Sequence, residues 1–278
     1  MLRKCEPNDL PQILDLWNTV FGEDENFTKW YFANIFKPEN TIAIFEDEKL
    51  ISMLQMLPYE INGFGKVSYI FGACTYPEFR GKGLMAELIA FSEKLDREAG
   101  VKASILIPQE QSLFNFYKRF GYEPDFKIKH KEYFKQNKKG HPYTFFEIES
   151  KDVPLLNQAY EDSLKDTYYV VREVDYWDKQ IDMFGTLGGK VFGLKDNDTL
   201  IAYAFVWNDD DLVAQELWGI DNNAKEIIVD EILEYYNVNK LTGVSLIGTE
   251  MQEHDLGSIK FYNTAITDKQ YLMNLMFN

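Results

Sequence analysis

Cysteine is scarce in this chain, with two residues, Cys5 and Cys74, among 278. Two thiols cannot build a disulfide framework, so a reducing, cytoplasmic setting is expected. There are three histidines, His130, His141 and His254. They show no metal-ligand spacing and no triad partner, so neither a metal centre nor Ser-His hydrolase chemistry is expected. Long apolar runs are missing too; none approaches the roughly 18–20 residues needed to cross a bilayer. The N-terminus, MLRKCEPNDLPQILDLW, places charge and proline where a signal peptide would be apolar. No membrane partner is therefore expected.

Positive charge is in deficit: 29 Lys and Arg face 45 Asp and Glu, for a net charge of −16. The deficit is uneven. Residues 1–142 hold 19 basic and 20 acidic side chains, while residues 143–278 hold 10 and 25. Such a surface repels phosphate backbones and argues against a nucleic-acid partner. It attracts cations, protonated amines included. The shift coincides with a basic stretch, Lys131 to Tyr143, broken at Gly140 and Pro142, which reads as a linker. Two domains are expected, residues 1–140 and 141–278.

The first half alternates helix and strand. Asp9 can cap a helix carrying Leu10, Ile13, Leu14 and Trp17, and a second helix is expected over Phe27–Phe36. Thr41–Phe45 and Leu50–Tyr59 read as a hairpin, and Ser68–Tyr76 as a third strand. Gly83–Gly100 reads as an amphipathic helix with Leu84, Leu88, Phe91 and Leu95 on one face. A strand at Lys102–Ile107 and a short helix at Leu113–Phe120 follow. The centre is a βαβ crossover with a parallel pair. The second half repeats helices, a hairpin around DNDT, a strand, a helix and the strand VSLIG, as a degenerate copy.

Chemistry concentrates where strand meets helix, in TYPEFRGKGLMAEL. Glycines at Gly81 and Gly83 allow backbone N–H groups to approach an anion, and the helix start adds positive potential. Arg80 and Lys82 can neutralise further phosphate charge. Competing phosphate motifs fail on spacing: no GxGxxG is present, and GGK at Gly188–Lys190 lacks the rest of a P-loop. Likewise GVSLIG, Gly243–Gly248, is not GxSxG and reads as strand.

Some 25 residues on lies SLFNFYKRFGYE. The two segments, in this order, resemble motifs A and B of the GCN5-related N-acetyltransferases (GNAT). The Arg-x-x-Gly turn is carried by Arg80 and Gly83, and the second motif by Phe116, Tyr117, Arg119, Gly121 and Tyr122. Two positions depart from the commonest pattern: Met85 replaces a small residue and Glu110 an Asn. Met85 suits a narrower branch, resembling the bacterial enhanced intracellular survival acetyltransferases, in which two GNAT-like domains stand in tandem and the second lacks a cofactor turn. A further sterol-carrier-like domain of that group is not expected in these 278 residues.

The resemblance implies an α/β fold of two tandem GNAT-like domains, each a mixed, mostly antiparallel sheet with a parallel pair at the cofactor site and flanking helices. It implies acetyl-CoA as co-substrate, with no metal. Ala73, Cys74 and Thr75 would flank the pantetheine arm; Arg80, Gly81, Lys82, Gly83, Leu84 and Met85 would hold the pyrophosphate; Ser112 and Leu113 would lie beside the cofactor. Tyr117 would protonate the leaving thiolate. Asp24, Glu25 and Trp30 fall where the fold shapes its acceptor pocket, and Asp24, Glu25 or Glu60 could act as base. Cys74 as a covalent nucleophile is the less expected reading. The expected reaction is N-acetyl transfer to a cationic or amine small molecule or a lysine side chain. The alternatives are aminoacyl transfer from a charged tRNA and a non-catalytic CoA-binding module. In the second half, Leu256–Asn263 faintly echoes the helix around Tyr117.

Overall fold

The computed structural model describes residues 1–22, 24–136, 140–245, 252–263, 265–266 and 271–272. The first half runs β1 (Leu2–Lys4), α1 (Leu10–Phe21), α2 (Glu25–Asn34), β2 (Thr41–Glu46), β3 (Lys49–Ile61), β4 (Gly65–Thr75), α3 (Leu84–Glu98), β5 (Ala103–Leu106), α4 (Gln111–Lys118) and β6 (Glu123–Phe134). The second runs β7 (Thr144–Glu147), α5 (Val153–Leu164), β8 (Tyr168–Tyr169), α6 (Val174–Thr186), β9 (Lys190–Asp196), β10 (Thr199–Asn208), β11 (Leu212–Gly219), α7 (Asn222–Tyr235), β12 (Lys240–Ser245), β13 (Gln252–Phe261) and β14 (Tyr271–Leu272). No helix among the described residues is long and apolar enough to cross a membrane.

The chain forms two units, one built mainly from residues 1–126 with 256–271 and the other from residues 127–255. In the first, strand order is β1-β2-β3-β4-β5-β13; in the second, β6-β12-β11-β10-β9-β7. The stretch read as a linker is strand as far as Phe134: Lys131 pairs with Gly243 and Tyr133 with Leu241 on β12. Residues 137–139 of that stretch lie outside the described residues. The segment expected to echo the Tyr117 helix is strand as well. Its residues Ser258–Phe261 pair antiparallel with Leu106–Ala103 of β5. An edge left open beside a buried parallel pair is filled by this pairing, which overrides the local pattern. Of VSLIG, Val244 and Ser245 lie in β12, and residues 246–248 are outside the described residues.

Apart from the short β8, the order from β7 to β12 repeats that from β1 to β5, and one signature repeats at residue level. Glu6-Pro-Asn-Asp9-Leu-Pro and Glu149-Ser-Lys-Asp152-Val-Pro each form a 3-10 turn closed by a reciprocal capping box ahead of α1 and α5. Asp9 therefore serves this turn and Arg3, at 2.6 Å, rather than capping α1 through its side chain. Hairpin β2–β3 turns on Asp47 and Glu48, both at positive φ, the conformation that two-residue hairpins need. Each unit then buries its own apolar core. Ile42, Leu54, Ile70, Leu88, Leu106 and Tyr122 meet in the first. Leu194, Val206, Leu217, Ile228, Ile232 and Leu241 meet in the second.

Candidate active site

The site of the first unit starts with two strands that part. β4 and β5 pair in parallel from Val67↔Ala103 to Ile70↔Leu106, and there β5 ends. β4 continues through Phe71–Thr75 without that neighbour. It is also bulged, because Met53 pairs with Cys74 and Gln55 with Phe71, leaving Gly72 and Ala73 opposite Leu54. A bulge kinks the strand and re-aims its peptide groups. Ala73 is half-buried and packs on the core. Cys74 is buried, and burial pushes its thiol far above the usual range, which suits packing rather than nucleophilic attack. Thr75 Oγ1 lies 2.7 Å from Ser52 Oγ.

Beyond β4, Tyr76 donates its hydroxyl to Asp15 of α1, and Lys49 sits 4.6 Å above its ring. This anchor holds the start of the turn. Arg80 Nε donates to the Thr75 carbonyl at 3.2 Å, and Lys82 lies 4.6 Å above the Phe79 ring. Gly81 and Gly83 take φ of +77° and +83°, left-handed values that favour glycine. A Cβ added to either would meet nothing within 4 Å, so the turn is open. Gly83 is the N-cap of α3 and offers no side-chain cap. The first-turn N–H groups therefore lack intrahelical acceptors and carry the positive end of the helix dipole. Uncapped donors, two cations and unobstructed backbone suit a pyrophosphate group.

Tyr117, on α4, is buried in the first-unit core beside Leu88 and Tyr122. Its ring meets Phe116 at 5.2 Å and Tyr122 at 5.9 Å, and its hydroxyl makes no hydrogen bond among the described residues. Burial pushes the phenol up to about 12, so it holds its proton across the physiological range. Ser112 is exposed in the first turn of α4, with Oγ 3.3 Å from Glu110, and Leu113 is half-buried against the Tyr117 core.

The acceptor-side residues lie apart from this turn in role. Asp24 caps α2, accepting from the N–H groups of Asn26 and Phe27 at 2.9 Å. Glu25 is exposed and pairs with Lys29 at 2.9 Å, which lowers its pKa. Trp30 is buried. Glu60 pairs with Lys66 at the opposite end of the β3–β4 ladder from Cys74. The sequence reading missed the group that backs the bulge: Trp17, Tyr31, Gln55 and Phe71. The signal available was Gly72, an isolated glycine inside a strand, which marks a bulge or a close approach. Here a Cβ would strike the Trp17 ring at 2.6 Å.

The second unit keeps the frame and loses the turn. β11 and β12 pair in parallel through Val213↔Thr242 and Ala214↔Gly243, and β11 is bulged against β10. α7, however, is capped by Asp221, whose Oδ1 accepts from Ala224 N at 2.7 Å. A carboxylate occupies the place an anion would take.

The first unit thus sets a bulged strand that parts from its parallel neighbour beside an uncapped helix. Residues 1–124 match the family described as acetyltransferase (GNAT) domain. The match supports acyl transfer, of the N-acetyltransferase kind, as the general chemistry. Among solved structures, a conserved protein of Enterococcus faecalis V583 described as a probable N-acyltransferase aligns over 94% of this chain and 72% of its own, at 15% identity and TM-score 0.76. A GCN5-related N-acetyltransferase from Anabaena variabilis covers the same shares at 18% identity and TM-score 0.73. Eis1 from Mycobacterium abscessus aligns over 94% of this chain and 73% of its own, at 11% identity and TM-score 0.65. At these identities the likeness is one of fold. No curated protein matches the chain in sequence.

Proposed function

We propose that this protein is an N-acetyltransferase that moves the acetyl group of acetyl-CoA to a primary amine by direct attack. The observation that carries this reading is the open start of α3: Gly83 without a side-chain cap, Gly81 beside it, and Arg80 and Lys82 on the same turn. The pyrophosphate would rest on the N–H groups of Gly81–Met85. The pantetheine arm would run along Ala73, Cys74 and Thr75, with Ser112 and Leu113 beside it.

In the reaction, the lone pair of a neutral amine forms the C–N bond at the thioester carbonyl. The C=O pair moves onto oxygen, where peptide N–H groups of β4 offset the charge. That pair then returns and the C–S bond breaks, while the thiolate takes the proton of Tyr117. The amine's surplus proton leaves to water. Asp24 and Glu25 are committed to a helix cap and a surface pair, and Glu60 is distant along the ladder, so no side chain here is assigned as base. The strongly acidic second half favours a cationic acceptor, a small amine or a lysine side chain, with no nucleic acid or membrane involved and the cytoplasm as setting.

Calorimetric titration with acetyl-CoA, beside CoA and aminoacyl-tRNA, tests the reading. Micromolar binding of acetyl-CoA followed by amine-dependent thiol release supports it. Absence of acetyl-CoA binding overturns it.

A further inference from the structure

Among the described residues, one side-chain polar atom of the first unit is sealed from solvent without a hydrogen-bond partner: Nε2 of Gln55. A buried N–H that finds no acceptor loses its hydration uncompensated, at about 1–3 kcal/mol. Folds keep few such groups, and a site that supplies the acceptor from a ligand is one cause.

Position gives the cause here. Gln55 lies on β3 opposite Phe71, at the edge of the bulge that sets Gly72 and Ala73 against Leu54. Its amide is aimed by a fixed chain of contacts. Tyr31, kept neutral by burial, donates to Oε1 at 2.5 Å. Tyr31 stacks on Trp17 at 5.2 Å, and Trp17 Nε1 donates to Thr28 Oγ1 at 3.1 Å. With the carbonyl end held by Tyr31, the NH2 end turns to the bulge. A Cβ on Gly72 would stand 3.1 Å from Nε2, and Gly72 takes φ of +56°. No side chain of Gly72 separates the amide from the stretch Ala73–Thr75.

We propose that Gln55 is a further catalytic residue, whose Nε2 donates a hydrogen bond to the carbonyl oxygen of the bound acyl group as negative charge builds there. This rests on the reading that the unit binds an acyl-CoA along Ala73–Thr75. Gln55 forms no covalent bond and keeps both protons. The C=O pair moves onto oxygen when the amine attacks and returns as the C–S bond breaks. An uncharged donor aimed in advance suits this task, since it needs no reorganisation when charge appears.

The side-chain NH2 resonance of Gln55, assigned by its absence from Gln55→Met, reads the contact directly. Acetyl-CoA should shift it and CoA should not. Gln55→Met keeps the length of the side chain and lacks the donor. It should melt no lower than wild type, bind acetyl-CoA within about twofold, and lose about 10²-fold in kcat, the usual effect of removing one oxyanion donor. Tyr31→Phe, which frees the amide to turn, should lose less. An unmoved Gln55 resonance in protein that binds acetyl-CoA overturns the proposal, as does wild-type turnover in Gln55→Met. Wild-type protein that binds no acetyl-CoA instead overturns the underlying reading of the site.

Discussion

Glu216 grips Arg172 through both carboxylate oxygens, at 2.8 and 2.7 Å, with the two side chains sealed from solvent. Glu216 also accepts from Tyr203 at 2.8 Å, and the guanidinium lies 4.2 Å above Tyr160 and 4.6 Å above Trp177. By register Glu216 follows the β11 bulge, pairing with Phe205, as Cys74 follows the β4 bulge and pairs with Met53. Where the first unit keeps a small neutral side chain, the second has an internal ion pair. Together with Asp221 at the start of α7, this explains in physical terms why the repeat keeps the frame without the anion turn.

Breaking that pair on one side strands a buried charge. Glu216→Leu should therefore destabilise the second unit by about 3–5 kcal/mol. Urea denaturation followed by tryptophan fluorescence reads the change, since Trp177 lies against Arg172. A loss below about 1 kcal/mol would show that the guanidinium finds water or another acceptor.

Gly83 carries the pyrophosphate assignment. Gly83→Glu adds a carboxylate at the helix start and forces a side chain into a left-handed conformation. Acetyl-CoA binding should vanish while far-ultraviolet circular dichroism stays native. Gly83→Ala, with open space around its Cβ, should cost about 1–2 kcal/mol of backbone strain and retain weakened binding. Equal affinity in wild type and Gly83→Glu would move the phosphate site elsewhere.

Much of this was legible because the informative residues are contiguous. RGKG, the amphipathic α3 and the FYKRFGY segment each sit in one short window, so pattern alone places them. Hairpin β2–β3 was visible from its polar turn. The capping-box repeat at Glu6 and Glu149 lay in plain view yet carries no apolar period, so a reading by hydrophobic pattern passes over it. Long-range pairing was not legible. Gln55 meets Tyr31 across 24 residues, and Tyr76 meets Asp15 across 61. The strand nature of Lys131–Phe134 depends on a partner more than 100 residues away. A basic run beside glycine and proline reads as linker until that partner is known. In sequence Asp24 and Glu25 read as acids near an acceptor pocket; in the structure the first caps α2 and the second pairs with Lys29.

Asp96 offers a pH test of the first unit. It is buried on α3, accepts from Tyr262 at 2.7 Å, and burial raises its carboxyl to about 6. A raised carboxyl pKa means the folded state binds a proton that the unfolded state releases near 4. Stability from this group is thus complete below about pH 4 and is lost as pH rises through 6. Asp96→Asn, neutral at every pH, should remove that slope and be the more stable protein above pH 7, by on the order of 3 kcal/mol. Urea midpoints at pH 4.5 and 7.5 read it, and a variant weaker at pH 7.5 would refute the sign.

Tyr117 is the remaining test of mechanism. Its phenol stays protonated up to about 12 and its hydroxyl makes no hydrogen bond among the described residues, so it can give a proton to a thiolate without first breaking a contact. Tyr117→Phe keeps the ring that meets Phe116 and Tyr122 and removes only the hydroxyl. Acetyl-CoA affinity should change by less than about twofold, while kcat falls by about 10²-fold or more, in the range of a lost general acid. The loss should shrink with an acyl donor whose leaving thiol is more acidic, because such a thiolate needs no proton to depart. A deficit that is the same for both donors would mean that Tyr117 packs the core and takes no part in the proton transfer.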